Sequence, residues 1–182
     1  MPIADTLREV YQRLFARFGP QNWWPGDTPL EVMVGAVLTQ SVNWGNVERA
    51  ISNLKAAGAL SPRALREVPP EALATLIRPA GYYQAKARKL KALAEFIGTA
   101  GDDLGRLFTG DTPELREKLL RVYGVGEETA DSILLYAAGR AVFVIDAYTR
   151  RIVGRLGLAL PTAPYRELQG LFMGHLPAAA AL

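Results

Sequence analysis

Apolar residues recur at the spacing of a helix along almost the whole chain. The first such stretch repeats them three and four positions apart, which places them on one face that we expect to pack against a core. Those residues are Leu7, Val10, Tyr11, Leu14, Phe15 and Phe18. The only strand-like run, residues 141–145, has no partner of similar character, so we predict an extended connector there. The pattern predicts an all-α fold of about ten helices joined by short loops.

Capping signals divide this pattern into separate helices. Thr28, Pro29 and Glu31 form a capping box with proline at the first helical position. The nearly all-apolar run 32–38 that follows predicts a fully buried central helix, and Asn43 can cap the next one. Further helices are predicted to begin near residues 61 and 70, and to cover 84–97, 111–122, 127–138, 147–156 and 165–174.

Composition excludes several kinds of site. The 182 residues contain no Cys and a single His, His175. A disulfide scaffold, a thiolate nucleophile, an iron–sulfur cluster and a multi-His metal site are therefore excluded, and we expect no metal or cofactor. The net charge of +3 permits a polyanionic partner without requiring one.

The chain shows no sign of a targeting or membrane-spanning segment. Residues 1–5 lack a basic region followed by an apolar run, and the apolar tail 178–182 is far shorter than the roughly 20 residues that span a bilayer. We therefore expect a soluble cytoplasmic monomer, associated with the nucleoid if the source is prokaryotic.

A Gly-Val-Gly turn, residues Gly124, Val125 and Gly126, joins two predicted helices. The glycines allow positive φ and let a ligand approach the backbone closely, while the first N–H groups of the second helix have no intrahelical partner. This geometry can hold a DNA phosphate. A tight packing of the two helices explains the glycines equally well.

Asp146 begins a predicted helix directly after the connector. An N-cap is the commonest use of an aspartate there. A catalytic carboxylate at the mouth of a cleft is the sharper interpretation, and the two are compatible because the cap fixes the rotamer of the side chain.

All three tryptophans of the chain, Trp23, Trp24 and Trp44, lie near presumed helix ends. Core packing would account for them. The alternative is a stacking box for a flipped, electron-poor base.

Basic residues gather in two segments on either side of the Gly-Val-Gly turn. A basic run is usually a solvated face, but two runs that flank such a turn favour a phosphate track, with Lys86 and Arg150 among its DNA contacts. The first run holds Arg78, Lys86, Arg88, Lys89 and Lys91, and the second holds Arg140, Arg150, Arg151 and Arg155.

Three motifs together resemble those of the endonuclease III-like DNA glycosylases. Residues 120–130 followed by 144–151 resemble the family's helix–hairpin–helix and its Gly/Pro-rich loop with an aspartate. Residues 37–44 resemble the second-helix segment with its glutamine, and residues 80–87 resemble the Gly-x-Tyr-x-x-Lys-Ala turn. The motifs keep the family's order and spacing over about residues 25–175.

The resemblance implies two helical lobes. A six-helix barrel would comprise residues 28–140, with the helix–hairpin–helix at the cleft, and the second lobe would join residues 1–27 to residues 141–182. Double-stranded DNA that carries a damaged base is the implied partner, and base-excision repair is the implied function.

Roles for individual residues follow from the same resemblance. Gly124 and Gly126 would hold the DNA backbone, and Gln40 would fill the gap left by the extruded nucleotide. Tyr82 would be the wedge beside that gap. Asp146 would act at the sugar C1′, where it stabilises a cation-like transition state and activates water.

The chain departs from the family at Glu128. Members that also cleave the DNA strand have a lysine at this position, and a carboxylate cannot form the Schiff base that this cleavage needs. The departure favours purely hydrolytic chemistry, with Glu128 in the base pocket beside the tryptophans. The alternatives are a non-catalytic module that binds damaged or structured DNA, and an all-α scaffold that binds protein.

A second departure is the absence of the four cysteines that hold an iron–sulfur cluster in many members. Either this is a member without the cluster, or the residues that would hold it lie outside these 182. The hairpin carbonyls could also hold a monovalent cation.

The segment Leu-Thr-Gln-x-x-x-Trp-x-Asn-Val, residues 38–47, and the tryptophan pair look most like the 3-methyladenine DNA glycosylase branch. An alkylated purine is cationic and electron-poor. An aromatic box could bind it by stacking and cation–π attraction, worth on the order of 1–3 kcal/mol per base contact.

Overall fold

A computed structural model describes residues 2–21 and 23–176, and within these ranges the chain is helical and contains no strand. The predicted all-α fold is confirmed. The helices are α1 (Ile3–Phe18), α2 (Pro29–Leu38), α3 (Trp44–Ala56), α4 (Pro62–Glu67), α5 (Pro70–Leu76), α6 (Tyr83–Gly98), α7 (Leu104–Leu107), α8 (Thr112–Leu120), α9 (Glu127–Ser132), α10 (Ala147–Arg155) and α11 (Tyr165–Met173). None of the helices in the described ranges is long and apolar enough to cross a membrane.

Helix α2 is buried along nearly its whole length. Thr28 Oγ1 accepts a hydrogen bond from Glu31 N at 3.2 Å, and Pro29 occupies the first turn. Every residue from Leu30 to Leu38 is buried, and α2 contacts α3, α6 and α9. The predicted central helix is confirmed, because a helix that is apolar all round must be covered on all sides.

The buried apolar side chains form two separate clusters. The larger one draws on residues between Leu30 and Val142, and the smaller one joins Leu7 of α1 to Ile145, α10 and α11. The connector 141–145 contains no helix or strand and passes from one cluster to the other. We propose that the clusters are the cores of the predicted lobes, residues 28–140 and residues 1–27 with 141–182. Residues 1, 22 and 177–182 of the second lobe lie outside the described part of the chain.

The apolar face of α1 corrects one expectation. Leu7 is buried, but Tyr11, Leu14, Phe15 and Phe18 are 39–60% exposed rather than packed against a core. The spacing of apolar residues identifies which face of a helix is apolar. It carries no information on whether the rest of the fold supplies a surface to cover that face.

Two further departures are local. Helix α7 is a single turn that the apolar spacing does not predict, and Asp103 caps it by accepting a hydrogen bond from Arg106 N at 3.1 Å. The helix expected over 127–138 consists of α9 and a π turn, Ile133–Ala137, in which Ala138 N donates to Ile133 O at 3.0 Å. A π turn shifts the register of the side chains that follow it and is common at functional sites.

Lys86 lies inside the fold and not on a DNA-binding surface. Its side chain is 2% exposed, and its Nζ donates to Leu38 O at 2.9 Å and to Ala80 O at 2.7 Å. The ammonium thus satisfies carbonyls at the ends of α2 and of the 3₁₀ turn Arg78–Ala80, which have no intrahelical donor. The prediction that Lys86 contacts DNA is wrong for this reason. Lys91 does the same for three carbonyls at the end of α4.

We expect burial of Lys86 to make stability depend on pH. Desolvation, with a smaller effect from Lys89, lowers the pKa of Lys86 from 10.5 to about 8. Between these values the unfolded chain binds more protons than the folded chain, so the free energy of unfolding should rise with pH, by at most about 3 kcal/mol. Urea unfolding at pH 7.5 and 9.5 measures this rise. Lys86→Met removes the charge and should flatten it, and an equal rise in both proteins would contradict the assignment.

Candidate active site

A cleft of about 1170 Å³ brings together residues that are far apart in the sequence. Its walls come from both hydrophobic clusters. They include the end of α2, the Gly-Val-Gly turn, the π turn and the start of α10. Among the residues that line it are Gln40, Glu128, Tyr136, Asp146 and Arg150.

The start of α10 places Asp146 at the wall of this cleft. Asp146 Oδ1 accepts a hydrogen bond from Thr149 N at 2.7 Å, which confirms the predicted N-cap. The preceding residue, Ile145, is buried, and its N–H donates to the Tyr165 hydroxyl at 3.2 Å. The Thr149 N–H therefore holds the carboxylate, and the Tyr165 hydroxyl fixes the backbone that precedes it. Within the described residues its Oδ2 makes no hydrogen bond or ion pair, so this oxygen is available to a substrate.

Glu128 shares the cleft with Asp146. In the described part of the chain its carboxyl group makes no hydrogen bond or ion pair, whereas the neighbouring Glu127 pairs with Arg116 at 3.6 Å and Arg166 at 3.4 Å. Glu128 is exposed at the cleft wall, where partial desolvation and the negative charge of Asp146 raise its pKa, although Arg150 acts in the opposite direction. The protonated form of Glu128 is therefore favoured relative to that of an isolated glutamate.

The three tryptophans lie together on one side of the cleft. The ring centroids of Trp23, Trp24 and Trp44 are 5.3–5.7 Å apart. Trp24 packs against α2 at Gly35, where an added Cβ would lie 3.1 Å from the indole Nε1. Tyr136, which sequence reasoning missed, completes the group at 5.5 Å from Trp24. It reaches the cleft through the π turn, for which the sequence carries no clear signal.

Gln40 is tied to the hairpin. Its Nε2 donates to Gly124 O at 3.1 Å and to Thr129 Oγ1 at 3.0 Å, and its Oε1 accepts from Lys89 Nζ. Gly124 has φ of +81°, and a Cβ there would lie within 2.8 Å of the Lys89 side chain. The fold itself therefore requires glycine at position 124. Lys89, which the sequence places only in the first basic run, lines the cleft.

The fold does not require glycine at position 126. Gly126 has an ordinary φ of −96°, and an added Cβ would meet nothing within 4 Å. Val125 between the two glycines is buried, and its N–H donates to Val122 O at 3.1 Å. The expectation that Val125 contacts DNA is therefore corrected, because both its side chain and its N–H face into the turn.

The remaining predicted DNA contacts lie in different surroundings. Tyr82 is exposed and outside the cleft, with the uncommon φ of 44°. Arg150 lines the cleft, but its Nη1 donates to Pro161 O at 3.1 Å and to Ala163 O at 2.7 Å. Arg140 likewise donates to carbonyls of the loop after α7. The two basic runs therefore do not form a continuous free phosphate track.

Comparison with known proteins shows the family to which the chain belongs. Residues 34–177 match the model of the HhH-GPD superfamily base excision DNA repair proteins. A Methanocaldococcus jannaschii protein that carries the provisional name of a DNA repair glycosylase is 45% identical over 175 residues, which are 95% of this chain and 80% of that protein. The chain belongs to the HhH-GPD superfamily. The resemblance to endonuclease III-like glycosylases is thereby confirmed.

Further relatives of this HhH-GPD protein are similar in sequence or in fold. Endonuclease III of Thermotoga maritima is 28% identical over 93% of this chain and 73% of its own length. The structure of H. pylori 3-methyladenine DNA glycosylase (MagIII) bound to 1,N6-ethenoadenine superposes with a TM-score of 0.83 and 27% identity, covering 100% of this chain and 92% of that one. A non-covalent endonuclease III–DNA complex gives a TM-score of 0.83 at 23% identity, over 98% and 80% of the two chains, and this likeness concerns the fold.

The residues of this HhH-GPD chain do not fit an iron–sulfur cluster. Such clusters are held by cysteine thiolates, and these 182 residues contain no cysteine. No step of the chemistry below involves a cluster.

A buried anchor behind the hairpin of this HhH-GPD protein escaped sequence reasoning. Asp131 of α9 is fully buried and accepts hydrogen bonds from Arg116 Nε at 2.7 Å and Arg116 Nη2 at 3.0 Å. Gln169 Nε2 of α11 donates to the same carboxylate and to Phe143 O, each at 2.8 Å. These bonds link α9, which follows the hairpin, to α11 of the smaller hydrophobic cluster. In the sequence, Asp131 looks like an ordinary surface acid.

Proposed function

We propose that this HhH-GPD protein is a DNA glycosylase that draws a damaged base from duplex DNA into the cleft and hydrolyses its N-glycosidic bond. One observation carries the proposal. Asp146 is fixed by its own helix cap, with one carboxylate oxygen unpaired in the described structure, in the same cleft as the aromatic group of Trp23, Trp24, Trp44 and Tyr136. A flipped base stacked on the aromatic group would bring its sugar towards the carboxylate.

Asp146 would act where positive charge develops. As the bond between C1′ and the base nitrogen breaks, the sugar becomes cation-like, and a fixed carboxylate stabilises it without first having to reorganise. The same carboxylate can accept the proton of a water molecule that adds to C1′. The products are the free base and an abasic site.

Strand cleavage through a Schiff base is not expected. Glu128 occupies the position at which the resemblance places the lysine of bifunctional members, and a carboxylate cannot form that adduct. Near the hairpin, the Lys86 ammonium is bound to two backbone carbonyls and the Lys89 ammonium to Gln40. We therefore propose a monofunctional enzyme.

The cleft chemistry favours an alkylated purine as substrate. Aromatic faces attract cations, and the Asp146 carboxylate lies in the same walls. A base that carries a positive charge gains from both. The H. pylori relative is named as a 3-methyladenine DNA glycosylase, which agrees with this choice.

An oligonucleotide panel tests the proposed function. Duplexes with 7-methylguanine, an oxidised pyrimidine or an abasic site are incubated with excess protein, and free base and strand breaks are measured separately. We expect release of the alkylated purine, with strand breaks only after alkali and no borohydride-trapped adduct. Tight, salt-dependent binding without release from any lesion would favour the non-catalytic module instead.

For DNA binding, we propose that the hairpin backbone at Gly124 and Gly126 holds a phosphate, with Gln40 and Tyr82 beside the extruded nucleotide. Gly126→Asp separates this role from folding. Aspartate is a favourable N-cap for α9, so stability should be kept, but its charge would repel a phosphate and weaken DNA binding at least about tenfold. Fluorescence anisotropy with a labelled duplex measures the affinity. Gly170→Ala, at another glycine where an added Cβ meets nothing, is the control. Unchanged affinity of Gly126→Asp would contradict the assignment.

A further inference from the structure

The mechanism above leaves the carboxyl group of Glu128 without a task. It lines the same cleft as Asp146, and within the described residues it has no hydrogen bond or ion pair. Glu127, one residue earlier, differs in this respect because Arg116 and Arg166 hold it. The place of Glu128 in the first turn of α9, where the helix dipole favours acidic residues, suits a glutamate but does not require that it line the cleft.

The groups around Glu128 favour its protonated form. Asp146 and Arg150 face it from α10 with opposite charges, and their effects on its pKa oppose each other. Tyr136 contributes a neutral ring, since burial raises the pKa of that phenol further. Lys89, the lysine among the described residues that line the cleft, has its ammonium bound to Gln40. Partial desolvation at the cleft wall has the largest effect on Glu128, so its pKa is raised and its protonated form is favoured.

Damaged purines differ in whether they need such a proton. A base alkylated at a ring nitrogen carries a positive charge, and it leaves as a neutral molecule when the electron pair of the glycosidic bond moves onto it. A neutral modified purine would leave as an anion, which is a poor leaving group. A general acid that protonates a ring nitrogen removes this difficulty.

We propose that Glu128 is the general acid that protonates neutral damaged purines as they leave. This inference rests on the proposed function. The Glu128 carboxyl gives its proton to a ring nitrogen of the base, while the electron pair of the bond to C1′ moves onto the base. Water adds to C1′ and gives one proton to Asp146. Asp146 then releases this proton to solvent, and solvent restores the proton of Glu128. The sum is one water consumed, one neutral base and one abasic site formed.

The test compares a neutral lesion with a cationic one. Single-turnover base release is measured at saturating enzyme from duplexes that carry 1,N6-ethenoadenine or 7-methylguanine. Glu128→Gln keeps the size and polarity of the side chain but cannot donate this proton. We expect a loss of about 10²-fold or more on 1,N6-ethenoadenine, and a change of less than about threefold on 7-methylguanine. Glu127→Gln, which removes the same charge one residue away, should leave both rates unchanged.

The pH dependence gives an independent measurement. With wild-type protein, release of 1,N6-ethenoadenine should fall as pH rises through the raised pKa of Glu128, because the donor loses its proton. Release of 7-methylguanine should lack this decrease, and Glu128→Gln should abolish it for the neutral lesion.

The outcomes separate this inference from the function on which it rests. An equal effect of Glu128→Gln on both lesions, no effect on either, or wild-type release of 7-methylguanine alone would overturn the general acid while leaving the glycosylase intact. Absence of release from both duplexes with wild-type protein would overturn the proposed function itself.

Discussion

Asp146→Asn should lower the rate of base release by about 10²–10⁴-fold without disturbing the fold. The substitution removes the charge that stabilises the cation-like sugar and the group that accepts the proton of water. It keeps the helix cap, because asparagine is as good an N-cap as aspartate and its Oδ1 can accept the same bond from Thr149 N. Single-turnover release from a 7-methylguanine duplex measures the rate, and the melting temperature verifies the fold.

The chain offers a matched control for this variant. Asp111 caps α8 in the same manner, accepting a hydrogen bond from Glu114 N at 2.7 Å, but it is exposed and does not line the cleft. Asp111→Asn therefore makes the same chemical change in the same local structure. Its rate should equal that of the wild type. Equal rates in Asp146→Asn and the wild type would exclude Asp146 from the mechanism.

The helices could be placed from the sequence because their ends are encoded locally. Thr28, Asn43 and Asp146 each cap the helix that the sequence assigns to them, through bonds to a backbone N–H three residues on. The π turn depends instead on how α9 packs against its neighbours. Whether the apolar face of α1 is covered depends on the position of the rest of the chain. The spacing of apolar residues predicts neither the π turn nor this covering.

The site could be predicted only in part, for a similar physical reason. Motif order located Asp146, Glu128 and the hairpin, and the three tryptophans do lie together. The sequence does not show where the basic side chains point, because a long side chain can reach solvent or turn back onto unpaired helix carbonyls. Lys86 and Lys91 do the latter, and only tertiary structure decides between the two.

The role of Asp131, too, is visible only in the tertiary structure. Among the substitutions considered, its replacement should lower the free energy of unfolding the most. Removing one partner of a buried ion pair leaves the other charge without compensation and typically costs 3–5 kcal/mol. Arg116 keeps Glu127 at 3.6 Å, and the Gln169 amide keeps Phe143 O, so both retain a contact in Asp131→Ala. We therefore expect a loss near the lower end, about 3 kcal/mol, and a melting temperature lower by roughly 6–12 °C.

Two comparisons make this prediction about Asp131 specific. Glu67→Ala breaks the exposed Arg63–Glu67 pair, whose atoms are 2.6 Å apart, and should cost less than about 1 kcal/mol because water screens such pairs. Replacing Arg116 and Asp131 together by leucine removes the unpaired charge as well, so the double variant should recover much of the stability lost in Asp131→Ala. Urea unfolding gives the free energy of unfolding of all three variants. If Asp131→Ala lowered the free energy of unfolding by less than about 1 kcal/mol, apolar packing would be what holds the hairpin to the smaller cluster, and this carboxylate would be dispensable.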